Sequence, residues 1–478
     1  MTTNLNPQGP EVAEWTVMIY MVADDPAAGE LLDQQANREL DQITFAALST
    51  GDGEVSEKLR VAVQVDFRSQ PDVWRRIIGE GAWVQPESAA ADPATLYGFF
   101  GWVKEKCPAD RYMLILWGHS RGPLGLFTDR PFSSPAAGPF AREDSQRYVA
   151  QTLTLKELRL ALGKAQEALN QKVDIIAFKD CFMSTLETVF ELADGADYLI
   201  ASPDIVPIEG WPYRQILGQL VNEKDSKAAA TNIAEAVRQH YLVDNNRHGR
   251  EEVPFSLLDT SKFTNVSAPL RSIVSELAPE SGIGGKGLRD TLPGAERADP
   301  ALLDVKVLCE RLRKEGDAGL VEQVELLEKA VTDVVLSASK PAGNHEFGGV
   351  SLFCFPFPKE GVEPEESFVA PNATRSVYEE FAFSKKTNWH KVATREMPEE
   401  YIPPPSKAVY PAGDDLLPLV LEKLQNGVLE EIARKLLGFH KDAGFHKDAG
   451  FHKDAGFAAT VLGAEGMPNS ADWKRWKR

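Results

Sequence analysis

The sequence has few cysteines, and none of them is spaced like a disulfide framework or a zinc site. Its 478 residues include four cysteines, and no two of these form a CxxC pair. A disulfide scaffold and a zinc ribbon are therefore excluded as the basis of the fold. The first residues, 1–14, also lack the basic patch and apolar run of a signal peptide. We therefore expect a cytoplasmic protein in a reducing compartment.

The chain is also short of positive charge and of long apolar runs. Its 52 Lys and Arg stand against 71 Asp and Glu, which gives a formal net charge of -19. Such a charge repels phosphate backbones and anionic lipid headgroups. No apolar run reaches the roughly 18 residues that a membrane-spanning helix needs. We expect neither a nucleic acid nor a membrane as partner.

Short apolar runs bounded by turn residues recur along the chain, and each has the length of a buried strand. They span residues 15–23, 59–67, 112–117, 173–178, 198–202 and 350–355. Segments with helical spacing lie between several of them, such as 30–48 and 154–169, the second opening with the capping-box residues Thr154 and Glu157. This alternation predicts an α/β fold with a mainly parallel sheet and helices on both faces. Ligands of such sheets bind beyond the carboxyl ends of the strands.

The composition also predicts how the chain is divided. We expect an N-terminal tail (1–14), one domain (15–395) with a helical excursion at about 263–340, a Pro-rich linker (396–407) and a C-terminal helical segment with a flexible tail (408–478). The six-residue unit FHKDAG occurs three times in 439–456. Its histidines, His440, His446 and His452, raise metal binding as an alternative, but a tandem duplication in a tail is the favoured interpretation, and we predict no metal site.

Two predicted strands end in residues typical of a nucleophilic site. The run 112–117 leads into Gly118-His119-Ser120, and the run 173–178 leads into Lys179-Asp180-Cys181. If the two strands are adjacent and parallel, His119 and Cys181 leave the sheet at the same edge. A thiolate is the attacking species, and a nearby imidazolium favours it. We expect the backbone N–H groups of Ser120 and Cys181 to form the oxyanion hole.

The same residues also permit a serine nucleophile. Gly118-His119-Ser120-Arg121-Gly122 fits the G-x-S-x-G pattern of α/β-hydrolases, with Ser120 as the nucleophile. That motif requires a helix directly after the serine. The residues that follow, 123–139, are rich in Pro and Gly, which disfavours a helix there.

Five segments share a pattern with known proteins: 15–25 (WTVMIYMVADD), 112–119 (YMLILWGH), 174–187 (DIIAFKDCFMSTLE), 198–213 (YLIASPDIVPIEGWPY) and 378–389. Together they resemble the clostripain family of cysteine peptidases. The resemblance implies a caspase-like α/β fold, a Cys181–His119 dyad and cleavage of peptide bonds in protein or peptide substrates. It also implies a basic residue at P1, the substrate position before the cleaved bond, and maturation by self-cleavage between base and nucleophile. Some members respond to calcium, although no cofactor is required by the dyad itself.

Two positions depart from the family pattern. Ser120 stands where the family has a glycine, and Lys179 stands where an acidic residue helps to accept a basic P1 side chain. Asp180, Glu209 and Trp211 are the other candidate substrate-binding residues. Two hypotheses follow: either Glu209 dominates and the P1 preference stays basic, or Lys179 lines the pocket and shifts the preference toward acidic or neutral side chains. A third interpretation is that Lys179 extends into solvent.

The loop between the predicted base and nucleophile is a candidate for self-cleavage. Residues 130–147 are rich in Pro, Ser, Gly and Ala and contain Arg130, Arg142 and Arg147. Exposed loops of this composition are preferred cleavage sites. The departures at Ser120 and Lys179 also permit a different class of protein, a catalytically weak regulatory or binding protein on a peptidase scaffold. The C-terminal region could then recruit a regulatory protein.

Overall fold

The computed structural model describes residues 10–25, 31–51, 53–70, 72–80, 82–86, 90–129, 151–207, 210–248, 253–277, 301–339, 347–354 and 375–394. The linker and C-terminal segment predicted for 396–478, with its repeats, lie outside the described residues. No helix in the described part of the chain is both long and apolar enough to cross a bilayer.

Strands and helices alternate through most of these residues. The strands are β1 (Ala13–Val22), β2 (Leu59–Asp66), β3 (Asp72–Ile77), β4 (Ala82–Pro86), β5 (Ala109–Trp117), β6 (Leu126–Asp129), β7 (Gln151–Leu153), β8 (Val173–Lys179), β9 (Ala196–Ala201), β10 (Ser256–Asp259), β11 (Leu302–Asp304), β12 (Val335–Ala338) and β13 (Ser351–Phe353). The helices are α1 (Leu31–Leu48), α2 (Pro93–Lys106), α3 (Leu155–Leu169), α4 (Leu186–Leu192), α5 (Tyr213–Asn222), α6 (Ser226–His248), α7 (Ser267–Leu277), α8 (Val305–Glu315), α9 (Ala318–Val334), α10 (Arg375–Glu379), α11 (Ala382–Thr387) and α12 (His390–Ala393), with a 3-10 helix at Thr260–Asn265.

Nine of the described strands form one sheet, in the order β12-β10-β9-β8-β5-β1-β2-β3-β4. The central strands β9, β8, β5, β1 and β2 pair in parallel. Antiparallel strands flank them on both sides. The predicted mainly parallel α/β sheet is therefore confirmed.

Both faces of the central sheet are buried. Along β1, Met18 and Tyr20 face one apolar core, while Val17 and Ile19 face the other. Apolar residues of α2, α3 and α4 belong to the first core, and those of α1, α5 and α6 belong to the second. Because neither face meets water, each central strand reads as a continuous apolar run rather than an alternating one.

The chain outside the central strands is only partly as predicted. Residues 350–355 do contain a strand, but β13 pairs with β11 in a separate two-stranded sheet. The excursion at 263–340 contains α7, α8 and α9, but it also contributes β12 to the edge of the main sheet. β11 and β12 have only three and four residues, too few for either period to show in the sequence.

The start of α3 has the local structure that its sequence predicts. The hydroxyl of Thr154 accepts a hydrogen bond from the N–H of Glu157, and the Glu157 carboxylate accepts one from the N–H of Thr154 at 2.8 Å. This capping box satisfies two N–H groups that the first helical turn leaves without partners. It fixes the entry of α3, which connects the strands on which the candidate site is built.

A buried carboxyl group of α4 fastens the segment 375–394 to the core. Oε1 of Glu187 accepts hydrogen bonds from the N–H of Phe353 at 2.9 Å and from the hydroxyl of Tyr378 at 2.5 Å. Burial raises the pKa of Glu187 to about 7, against the opposing effect of these hydrogen bonds. The folded protein therefore keeps a proton on Glu187 that the unfolded chain releases at lower pH.

We predict that Glu187→Gln flattens the pH dependence of stability. The pKa of Glu187 is raised from 4.5 to about 7 on folding, so its contribution to the free energy of unfolding is lost as pH rises through this window. Glutamine keeps an acceptor for Phe353 and Tyr378 but cannot ionise. Urea unfolding at pH 4 and pH 8 measures how much of the free energy of unfolding is lost between these two pH values. This loss should be smaller by about 3 kcal/mol in Glu187→Gln than in wild type. The exposed Glu322→Gln serves as the control, and an equally steep loss in Glu187→Gln would contradict the assignment.

Candidate active site

The two strand ends that carry the predicted nucleophile and base are neighbours. β5 and β8 pair in parallel, and Trp117 is opposite Lys179 in the register. The residues that follow both strands therefore leave the sheet at the same edge, as the sequence requires for His119 and Cys181. Their catalytic roles stay predictions. His119 is exposed, whereas Cys181 is only partly exposed.

The turns after β5 and β8 also contact each other directly. The Ser120 hydroxyl donates a hydrogen bond to the carbonyl oxygen of Cys181. Gly122 has a φ of +58°, and a Cβ at this position would lie 3.0 Å from the carbonyl oxygen of Phe182. Glycine is the residue that tolerates both this conformation and this close approach. The two turns are thus held against one another by a hydrogen bond and by backbone packing.

A third strand end borders the Cys181 thiol. The residues after β9 approach the turn after β8, where Phe182 N–H donates to the Asp204 carbonyl at 3.0 Å. The N–H of Val206 donates to Cys181 Sγ at 3.3 Å. Val206 was not among the predicted site residues. Its position follows from the strand predicted at 198–202, because β9 is the next parallel strand in the sheet.

The thiol of Cys181 is protonated in this arrangement. Burial is the main cause that raises its pKa to about 12, the Asp180 and Asp204 carboxylates add to the rise, and the Val206 N–H opposes it. A thiol attacks only as the thiolate. Any nucleophilic chemistry at Cys181 therefore needs a base that takes its proton when a substrate arrives.

Lys179 is buried beneath this edge of the sheet and does not extend into solvent. Its side chain is 2% exposed, and Nζ lies 3.4 Å from Oε1 of Glu39 on α1. Nζ also lies 3.5 Å from the Pro207 carbonyl and 5.6 Å from the centre of the Trp117 ring. Sequence reasoning missed Glu39, because its burial on α1 shows only in the folded structure.

The remaining predicted substrate-binding residues fall into three situations. Asp180 is buried, and burial holds the pKa of its carboxyl well above its usual range, against the opposing effects of Lys179 and of the Gly118 N–H. Trp211 is buried as well, and its Nε1 donates to the Tyr241 hydroxyl at 3.1 Å. Glu209 lies outside the described residues. The candidate cleavage sites Arg130, Arg142 and Arg147 lie outside them too.

The structure lacks the context that a Ser120 nucleophile requires. Within residues 118–129 the chain forms a tight turn and then β6, without a helix. The Ser120 hydroxyl is engaged by the Cys181 carbonyl. These observations argue against the α/β-hydrolase alternative.

A metal ion finds no ligand set in the described part of the site. No group of three or more His, Cys, Asp or Glu side chains among the described residues is arranged to hold one. The calcium response that the family resemblance suggests stays a prediction, and no step below depends on it.

We predict that Ser120→Ala lowers the free energy of unfolding by about 1 kcal/mol. The substitution removes one hydrogen bond between the turns after β5 and β8 and leaves the Cys181 carbonyl without that donor. Chemical denaturation of the purified variant measures the loss. Ser275→Ala is the matched control, since the Ser275 hydroxyl bonds only within its own exposed helical turn. An unchanged stability of Ser120→Ala would show that the contact is not made in solution.

Comparison with known proteins gives a consistent result. The profile of the clostripain family matches residues 20–312. Clostripain from Hathewaya histolytica is 23% identical over an alignment of 319 positions, which covers 56% of this chain. The match spans 57% of the length of clostripain, little more than half of that protein.

Solved structures show the same fold. A secreted C11 cysteine protease from Bacteroides thetaiotaomicron, crystallised with an irreversible peptide inhibitor, superposes with a TM-score of 0.55 at 18% identity, over 80% of this chain and 100% of its own. An inactive zymogen C11 protease from Parabacteroides distasonis gives 0.53 at 18% identity, over 79% of this chain and 99% of its own. The expected caspase-like arrangement of the sheet is thereby confirmed.

Proposed function

The chain belongs to the clostripain family, and from this membership together with the geometry of the site we propose that it is a cysteine endopeptidase. Cys181 would be the nucleophile and His119 the base. The observation that carries the proposal is the parallel pairing of β5 with β8, which delivers the two residues to one edge of the sheet. The residues after β9 border the thiol and the turn after β5 contacts the Cys181 carbonyl, a placement that suits a ligand site rather than a structural cysteine.

The proposed reaction proceeds through a thioester. His119 accepts the proton of the Cys181 thiol as Sγ attacks the carbonyl carbon of the substrate. The tetrahedral intermediate then breaks its C–N bond, and the leaving amine takes the proton from His119. Water, deprotonated by His119, attacks the thioester carbon and releases the carboxylic acid and the thiol. Because burial raises the pKa of the Cys181 thiol, the proposed reaction assigns the removal of its proton to His119.

Backbone N–H groups support the charged intermediate in this proposal. In the described part of the chain, the N–H groups of Ser120 and Cys181 donate to no other residue. They belong to two turns that contact each other through the Ser120 hydroxyl. Preorganised donors of this kind commonly supply the largest single contribution to acyl transfer.

We predict that Cys181→Ala and His119→Ala each lower kcat/KM for a peptide substrate by about 1,000-fold or more. Ser120→Ala should retain turnover within about tenfold, because its hydroxyl is not the nucleophile. A fluorogenic peptide library measures all three variants beside the wild type. If Ser120→Ala abolished turnover and Cys181→Ala did not, the reaction would belong to a serine nucleophile instead.

We further propose that the enzyme cleaves itself in the loop 130–147, after Arg130, Arg142 or Arg147. Residues 130–147 lie along the chain between β6 and β7, and β5 and β8 lie outside them, so a cut there interrupts neither the strand before the base nor the strand before the nucleophile. One of the solved relatives is described as an inactive zymogen. This self-cleavage depends on a basic P1 residue being accepted.

Intact-mass spectrometry tests the self-cleavage. Wild-type protein held after purification should yield two fragments whose junction lies within 130–147, while Cys181→Ala should remain a single chain. Identical intact masses for the two proteins would rule out self-cleavage.

Lys179, which stands in place of an acidic family residue and is buried against Glu39, favours a second candidate, a regulatory protein that binds peptides with little turnover. Region 408–478 would then recruit its regulatory partner. Binding of a fluorescent peptide to wild type, without any cleavage that Cys181→Ala removes, would identify this function. A cytoplasmic location stays a prediction; the Bacteroides relative is described as secreted.

A further inference from the structure

An exposed apolar side chain lies beside the Cys181 thiol. Ile205 follows β9 and is 43% exposed, whereas the next residue, Val206, is only 8% exposed. The N–H of Val206 donates to Cys181 Sγ at 3.3 Å. Because the Cα of Ile205 is two bonds from this nitrogen, it lies no more than about 6 Å from the sulfur. A substrate carbonyl that reaches Sγ therefore brings its neighbouring residues close to Ile205.

The backbone around Ile205 is fixed by hydrogen bonds and by proline. The Ile205 N–H donates to Oδ1 of Asp204 at 2.6 Å, and the Asp204 carbonyl accepts from the N–H of Phe182 at 3.0 Å. Pro203 and Pro207 flank the segment, and proline restricts φ. Isoleucine is β-branched and has few rotamers. A ligand can therefore cover Ile205 with a small loss of conformational entropy.

The main chain of this segment offers few hydrogen-bond donors to a substrate. The N–H of Ile205 is engaged by the Asp204 carboxylate, and the N–H of Val206 is engaged by the sulfur. Neither donor is available for pairing with an extended peptide. The Ile205 side chain is instead what the segment presents, and covering an exposed apolar side chain with another one is favourable.

We propose that Ile205 is a substrate-contact residue, whose side chain packs on an apolar substrate side chain at P2, the position before P1, or at P1′, the position after the cleaved bond. Ile205 takes no part in making or breaking bonds. This inference rests on the proposed peptidase function and adds a determinant of substrate choice outside P1. It is compatible with self-cleavage after arginine, since Ala141 precedes Arg142 and Tyr148 follows Arg147.

Peptides that differ only at P2 or only at P1′, with Leu or Ala there, test the contact. All carry the P1 residue that wild type cleaves best. Wild type should favour Leu over Ala at one of the two positions by about tenfold in kcat/KM. Ile205→Thr should lose most of this preference, because threonine keeps the β-branched shape but places a hydroxyl in the contact. Ile205→Val stays apolar and should keep most of it.

Leu326 provides a matched control. It is 48% exposed and lies on α9, which packs against α7 and α8 and leads into β12 at the edge of the sheet. Leu326→Thr therefore removes an equally exposed apolar side chain away from the thiol. Its ratio of kcat/KM for Leu to that for Ala should equal the wild-type ratio at both positions.

Several results would overturn the proposal. A wild-type ratio near one at both positions would do so, and so would a ratio that stays unchanged in Ile205→Thr. Equal slowing of the Leu and Ala peptides in Ile205→Thr would assign Ile205 to the shape of the segment and exclude the substrate contact. If no peptide is cleaved in a Cys181-dependent way, the proposed function itself fails, which is a distinct result, and this inference falls with it.

Discussion

The parallel pairing of β5 with β8 is the constraint on which the proposed site depends. Its register sets Trp117 opposite Lys179. The residues that follow the two strands therefore leave the sheet at the same edge. The turn with His119 and the turn with Cys181 are then fastened by the Ser120 hydroxyl and by the packing of Gly122 on Phe182. Neither turn alone would bring His119 and Cys181 to one edge of the sheet.

Burial on both faces of the sheet supplies the rigidity and sets the electrostatics. It raises the pKa of the Cys181 thiol to about 12 and that of Asp180 well above its usual range. The same burial would make an unpaired Lys179 costly, and Glu39 supplies its counter-ion. Nucleophilic chemistry at this edge thus requires a proton acceptor for the thiol.

Sequence reasoning could predict the strands of the sheet centre because each is buried on both faces and reads as an apolar run. It could also place Cys181 and His119 at strand ends, since that requires only the order of strands and their direction. The sequence does not show which residues of two distant segments are in contact. Glu39 precedes Lys179 by more than a hundred residues, and only the packing of α1 on the sheet shows that the two meet.

Other strands of the sheet were not predicted from the sequence for similar physical reasons. β3 carries Arg75 and Arg76 and pairs at the antiparallel edge of the sheet, so it lacks the apolar run that identified the central strands. β12 has four residues and directly follows α9, which hides it within a helical pattern. β3 and β12 lie near the two ends of the sheet and do not contribute to the candidate site. The candidate site could therefore be predicted from the central strands alone.

The central claim is that Cys181 is acylated in a reaction that needs His119. Peptide mapping after treatment of folded protein with two peptidyl chloromethyl ketones, one with Arg and one with an uncharged residue at P1, tests it most directly, because the reagent alkylates the cysteine that attacks it. The account predicts a single adduct on Cys181 in wild type, formed at least about 100-fold more slowly in His119→Ala, with Cys107, Cys309 and Cys354 unmodified because they are buried. An unmodified Cys181, or labelling of Cys181 at the same rate in His119→Ala, would contradict it.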